Sequence, residues 1–160
     1  MQNNRVYFLV LPLALLLIGA GCISSSLIIQ KNIGDYTYSG KTQSGIDKQG
    51  EVSFTTENAE YTSPSHTVEL AVFTAAIPEE IDQYLQEVFR DEGEDGEKFS
   101  ELAVGEAQVY YRRDQNQNAN CLFTWPSEKS MVVIRGVPCD VQDKLIKTYV
   151  KKFPPRAILK

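Results

Sequence analysis

The chain has 160 residues, 42% of them hydrophobic, with 16 Lys and Arg against 21 Asp and Glu, a formal net charge of −5. That length and apolar fraction support one domain of ordinary size with a real core and exclude a disordered chain. The acidic balance argues against nucleic acid as a partner, because phosphate binding needs a basic face.

Residues 6–22, VYFLVLPLALLLIGAGC, carry the strongest signal in the chain. A polar head with Arg5 precedes an apolar run without a charge, and the small residues Gly19, Ala20 and Gly21 lead to Cys22. A secretory signal has these physical needs: its core partitions into the bilayer and its exit fits a narrow peptidase cleft. Through Ala20-Gly21-Cys22 the segment resembles the lipobox of prokaryotic membrane lipoproteins, with Gly19 where that family usually has Leu. The resemblance implies that Cys22 is lipidated and becomes the first residue of a protein tethered to the cell membrane on its extracytoplasmic side. An uncleaved signal-anchor helix is the rival, since the apolar length reaches roughly the 18 residues a spanning helix needs. Simple cleavage with release is the third outcome. Each reading puts the chain from Gly34 onward outside the cytoplasm. Losing Arg5 with the leader leaves 15 basic against 21 acidic residues, a net of −6.

With Cys22 taken by lipid, Cys121 and Cys139 remain as a pair, which in an oxidising compartment is most simply a disulfide. Closing that loop is worth on the order of 3 kcal/mol in the chain-entropy model. Two buried free thiols are the alternative. A metal pair fits less well, because no CxxC spacing is present and the only histidine is His66.

In order, residues 1–22 are signal peptide or anchor, 23–50 a polar tether with a candidate first strand at 35–39, and 51–160 a single α+β domain. Residues 41–50 read as loop. Residues 51–57 put Val52 and Phe54 on one face and then turn polar. Residues 66–75 form the clearest strand, with Val68, Leu70 and Val72 on one face and Ala71 and Phe73 on the other. The stretches 51–62 and 66–75 are expected to pair antiparallel.

A helix follows from Pro78, which suits a first turn where its missing N–H is not needed. Glu79, Glu80 and Asp82 complement the positive helix N-terminus, and Ile81, Tyr84, Leu85, Val88 and Phe89 make one apolar stripe. Gly93 ends it, and 91–101 reads as an acidic loop. Strands are predicted at 107–113, 120–125 and 130–137, with 114–118 and 126–129 as turns and Pro138 as a stop. Asp140 is the expected cap of a final helix over 141–153, with Val141, Leu145, Ile146, Tyr149 and Val150 facing inward. Pro154 and Pro155 end it.

This order predicts an α+β fold after an N-terminal hydrophobic helix: an antiparallel sheet of about five strands, with two helices packed on one face. The arrangement, strand, strand, helix, three strands, helix, resembles the PsbP-like and other small exported α+β lipoprotein domains over most of 51–153. That likeness implies a fold and carries no functional residue across.

Few patterns carry chemistry. Asp91, Asp95 and Gly96 match positions of a calcium loop, but Gly93 and Leu102 stand where an EF-hand needs ligands. A looser calcium site would draw on Asp91, Asp95, Glu97 and Glu101; a solvated acidic turn is the plainer reading. His66 lies between Ser65 and Thr67 with no nucleophile elbow, and reads as a strand-edge histidine. Arg112 and Arg113 must point to opposite faces, and one of them could bind an anion. Tyr36, Tyr38, Tyr61, Tyr110, Tyr111 and Trp125 could line a cleft, although their strand spacing favours core and cross-strand packing.

Charge is uneven. Residues 79–106 hold eleven acids and two bases, while 144–160 hold six bases and no acid. The basic end could face an anionic membrane surface or dock against the acidic loop at 91–101. No nucleophile, metal cluster, phosphate loop or paired-acid motif is present, so the sequence points to a non-catalytic binding or accessory module without a cofactor. Its partners are the membrane, through the N-terminus, and a protein or small molecule. An envelope enzyme and a purely structural envelope protein are the alternatives.

Overall fold

The computed structural model describes residues 26–90, 98–104, 107–113, 120–140 and 142–158. Three strands come first, β1 (Thr37–Gln49), β2 (Val52–Thr62) and β3 (Thr67–Thr74), then helix α1 (Pro78–Arg90). Four more follow, β4 (Ser100–Val104), β5 (Ala107–Arg113), β6 (Asn120–Ser127) and β7 (Ser130–Pro138), then helix α2 (Lys144–Lys152). All pair antiparallel in one sheet, in the spatial order β1-β2-β3-β7-β6-β5-β4. Two meanders thus meet at the β3–β7 pair. Because β3 is central and β4 lies on the far edge, the connection through α1 must cross a face of the sheet.

This corrects the expected fold in three ways. The sheet has seven strands rather than about five. The order is three strands, helix, four strands, helix. The helices pack on opposite faces rather than on one. Leu145, Ile146 and Tyr149 of α2 join Leu70, Ile134 and Trp125 in one buried cluster, while Ile81 and Leu85 of α1 join Phe54 and Met131 in another.

The physical reason is legible in the central strands. Those strands are apolar on both sides: Val72 and Val132 turn toward α2, whereas Phe73 and Met131 turn toward α1. Strand β6 is buried from Cys121 through Ser127, the continuous pattern of a strand covered on both faces. The two added strands are the two edges, β1 and β4, whose residues are mostly exposed. Along most of its length β1 is polar on both sides, and β4 has only Leu102 and Val104 half-buried against the core, too short a run to reveal a half-buried strand.

The expected pairing of the first two sequence-predicted strands is observed as β2 with β3, in register from Thr55↔Thr74 to Thr62↔Thr67. The β6–β7 turn is tighter than predicted. Ser127 pairs with Ser130, so only Glu128 and Lys129 turn the chain, with Glu128 at φ 49°. Pro126 belongs to the strand. Its pairs with β5 would lie beyond Thr124, where the β5–β6 register ends, so its missing N–H costs no ladder bond.

A bulge at Gly136, φ 86°, then shifts the β6–β7 register, so that Leu122 faces Arg135 but Cys121 faces Val137. That extra residue brings Cys139 within a Cα separation of 5.0 Å from Cys121, and the two form a disulfide. Helix α2 starts at Lys144, capped by Asp143 rather than Asp140. Asp143 Oδ1 accepts from the backbone N–H groups of Leu145 (2.8 Å) and Ile146 (3.4 Å).

Residues 26–36, within the stretch read as a tether, pack across the α2 face, with Ile28, Ile33 and Tyr36 buried. Glu57 Oε2 accepts from the Ser26 hydroxyl at 2.8 Å and the Leu27 N–H at 2.9 Å. Tyr61 donates its hydroxyl to the Ile29 carbonyl, and Tyr149 Oη accepts the Ile29 N–H at 2.8 Å and lies 2.9 Å from Tyr61 Oη. The C-terminal tail is fixed on the other side. Arg156 bonds both carboxylate oxygens of Asp82, at 2.7 and 2.9 Å, and the carbonyls of Pro78 and Glu128. This pair joins the C-terminal tail to α1; residues 91–97, within the stretch read as an acidic loop, lie outside the described residues.

Candidate functional site

The sheet face that carries α1 is wider than the helix. Register defines three cross-strand rows on it. The first runs Thr56, Phe73, Met131 and Pro126. The second runs Asn58, Ala71, Val133, Thr124 and Tyr110. The third runs Glu60, Glu69, Arg135, Leu122 and Arg112. Helix α1 sits over the first row, with Tyr84 against Phe54 at 5.4 Å between ring centroids. Its last turn is held toward β5 by Phe89, whose ring lies 4.5 Å from Tyr110 and 4.9 Å from Phe99.

The second row as far as Thr124 and the third row therefore form the floor of an open groove of about 800 Å³ beside α1. Tyr84, Leu85, Val88 and Phe99 make its walls. Its character changes along its width, from apolar at Phe73, Met131 and Val133 to charged at Glu60, Glu69, Arg135 and Arg112.

Two groups in the groove are chemically incomplete. Thr124 is 3% exposed, and its Oγ1 has no hydrogen-bond partner, which among the described residues is true of no other buried side-chain N or O atom. A buried hydroxyl left unpaired costs free energy, on the order of 1–3 kcal/mol. Arg112 stacks its guanidinium 4.9 Å from the Phe99 ring centroid and has no carboxylate partner among the described residues. Thr124 pairs with Tyr110 and Leu122 with Arg112, so Thr124 and Arg112 are diagonal neighbours on this face, roughly 7 Å apart at their Cα atoms. Of the sequence-level candidates, only Arg112 lines the groove. Arg113, its neighbour, is exposed.

His66 lies elsewhere, in a polar tie between three segments. Its Nδ1 contacts the hydroxyls of Ser63 at 3.0 Å and Ser65 at 2.8 Å, and its Nε2 lies 3.4 Å from Tyr36 Oη. Tyr36 donates to Asp143 Oδ2 at 2.6 Å. Burial and the adjacent Asp143 push the Tyr36 phenol well above its ordinary value. A serine-type triad needs nucleophile and acid on opposite ring nitrogens, with donors for an oxyanion. Here no carboxylate touches the ring, and the tyrosine that reaches its far nitrogen passes its proton to a helix cap. The cluster fastens residues 26–36 to α2.

The aromatic candidates are packing residues. Tyr61 and Trp125 are fully buried on the α2 face, where Trp125 Nε1 donates to the Phe153 carbonyl at 2.8 Å. None of Tyr36, Tyr38, Tyr61, Tyr110, Tyr111 or Trp125 lines the large groove. Asp91, Asp95 and Glu97 lie outside the described residues, as does Cys22; Glu101 is exposed on β4, opposite Tyr110. Among the described residues no group of three or more His, Cys, Asp or Glu side chains could hold a metal, and no helix is long and apolar enough to cross a membrane.

Sequence reasoning missed Thr124, Leu122, Val133 and Arg135. Each looks like an ordinary strand residue until register places it beside the others. The one available signal was the alternation in β3, which turns Ala71 and Phe73 away from the Val68, Leu70 and Val72 core. No protein-family model, curated protein or solved structure matches the chain.

Proposed function

We propose that the chain is an extracytoplasmic, membrane-tethered binding module that holds a small ligand in the groove beside α1. The observation that carries this reading is the groove itself, about 800 Å³, within the roughly 300–1,000 Å³ typical of small-molecule sites. An apolar strip at Ala71, Phe73, Met131 and Val133 beside a few polar and charged groups is the usual composition of such a site. The position of Ser26 fits the tether. Ser26 lies on the opposite face, bonded to Glu57. Cys22 precedes it by a span of at most about 14 Å of extended chain, so an anchor there leaves the groove uncovered. The disulfide fits an oxidising compartment.

A thermal-shift screen of a chemically diverse library tests the binding reading. The full chain should give stabilising hits that vanish in Ala71→Trp, which fills the groove floor without entering the α2-side core. Hits that survive Ala71→Trp, or a screen without any, contradict it. Mass spectrometry of the membrane fraction tests the tether: a lipid-modified Cys22 as the new N-terminus is expected, and an intact Met1 contradicts lipidation in favour of a signal anchor.

A further inference from the structure

Resting on that reading of the groove, we infer that its ligand is a single-chain amphipathic carboxylate, with its head at Thr124 and Arg112 and its apolar chain over Ala71, Val133 and Phe73. Thr124 Oγ1 is a buried hydroxyl without a partner, on the groove floor. It has a proton to give, and a carboxylate oxygen is a strong acceptor for it. Arg112, its diagonal neighbour, offers a planar fork that matches a carboxylate in shape and charge. Stacking on Phe99 holds that fork in place and leaves its edge nitrogens for a ligand.

The rest of the groove sets the direction in which such a molecule lies. Glu60 and Glu69 face each other across β2 and β3 at the far end of the third row. Lys41 lines the same end, where the two carboxylates outnumber it, whereas no carboxylate among the described residues pairs with Arg112, so an anionic head settles at the Arg112 end. From Thr124 the second row continues through Val133 to Ala71, a strip without charge, and Phe73, Leu85 and Met131 border it. Ala71, small among larger neighbours, leaves depth for an alkyl chain at the middle of the floor. A cationic head would instead meet Arg112, and an uncharged polar head would leave the guanidinium unpaired.

Octanoate, octanol and octyltrimethylammonium share a chain and differ in head charge. Isothermal titration of each into the full chain in nanodiscs, with empty nanodiscs subtracted, decides the matter. Octanoate should bind saturably and at least about 10-fold more tightly than the other two, the discrimination expected of a charge-assisted pair. Arg112→Gln should remove most of that preference while sparing the weak binding of octanol. Thr124→Val should weaken octanoate about 5-fold and raise the melting temperature of the ligand-free protein. Equal binding of all three, lost together in Ala71→Trp, would overturn the carboxylate and leave the groove standing. Octanoate binding that survives Ala71→Trp would overturn both. Absence of octanoate binding would overturn the ligand class, with the library screen still judging the groove.

Discussion

Thr124 is the residue at which folding and function pull apart. Its hydroxyl is buried without a partner, in a row between Val133 and Tyr110. Replacement by Val removes the unpaired group and nearly keeps the shape, so Thr124→Val should stabilise the ligand-free protein by about 1 kcal/mol in urea unfolding. A loss of stability would mean that the hydroxyl is satisfied in solution. Arg156 is the opposite case. It forms an ion pair with Asp82, which is 3% exposed, and it also bonds the Pro78 and Glu128 carbonyls. Arg156→Ala should cost on the order of 3 kcal/mol, because it removes a bidentate cationic partner from a buried charge. Unchanged unfolding would show that the C-terminal tail does not hold α1 in place.

At the scale of elements, the disulfide and the tyrosine pair each join parts distant in sequence. The Cys121–Cys139 bridge closes the β6–β7 hairpin just before α2. Reduction should cost on the order of 3 kcal/mol by loop length, with α2 the first element to lose hydrogen-exchange protection. Simultaneous loss across the sheet would contradict that order. On the α2 face, burial raises the phenols of both Tyr61 and Tyr149 above their ordinary value. A group whose pKa is raised in the folded state contributes its stability below the unfolded value and loses it as pH rises. Stability should therefore hold to about pH 10, the ordinary phenol value, and fall above it. Tyr61→Phe should make the alkaline limb shallower in denaturant titrations taken at successive pH values.

The same scale explains what could be read from the chain alone. The apolar stripe of Ile81, Tyr84, Leu85, Val88 and Phe89 announced α1, and the alternation of Val68, Leu70 and Val72 announced β3. Edge strand β1 was legible only at its start, in the candidate strand at 35–39; the residues after it are polar or glycine, apart from Ile46, which is 83% exposed. β4 was hidden inside an acidic stretch. The second covered face was overlooked because a strand such as β6 is apolar throughout and does not state which helix covers which side. The disulfide was legible from cysteine count, but its geometry depended on the bulge at Gly136, which periodicity does not show. The groove was the least legible part, since it is made by cross-strand register between β2, β3, β7, β6 and β5. Two signals pointed toward it: Arg112, as half of an arginine pair forced to point both ways, and the alternation that turns Ala71 and Phe73 away from the β3 core.

For the whole molecule, the proposed function separates attachment from recognition. One face is closed by α2 and residues 26–36, the described residues nearest in sequence to Cys22. The other is crossed by α1, which leaves part of the sheet open as the groove. The central claim is that this open strip is where the molecule binds. Amide chemical-shift mapping by NMR, with octanoate added to the isotope-labelled chain in nanodiscs, tests it most directly. The account predicts saturable shifts confined to α1 and to the strand residues around Ala71, Leu122, Thr124 and Val133, with the amides of α2 unmoved. Shifts centred on α2 and residues 26–36, or spread evenly over the surface, would contradict it.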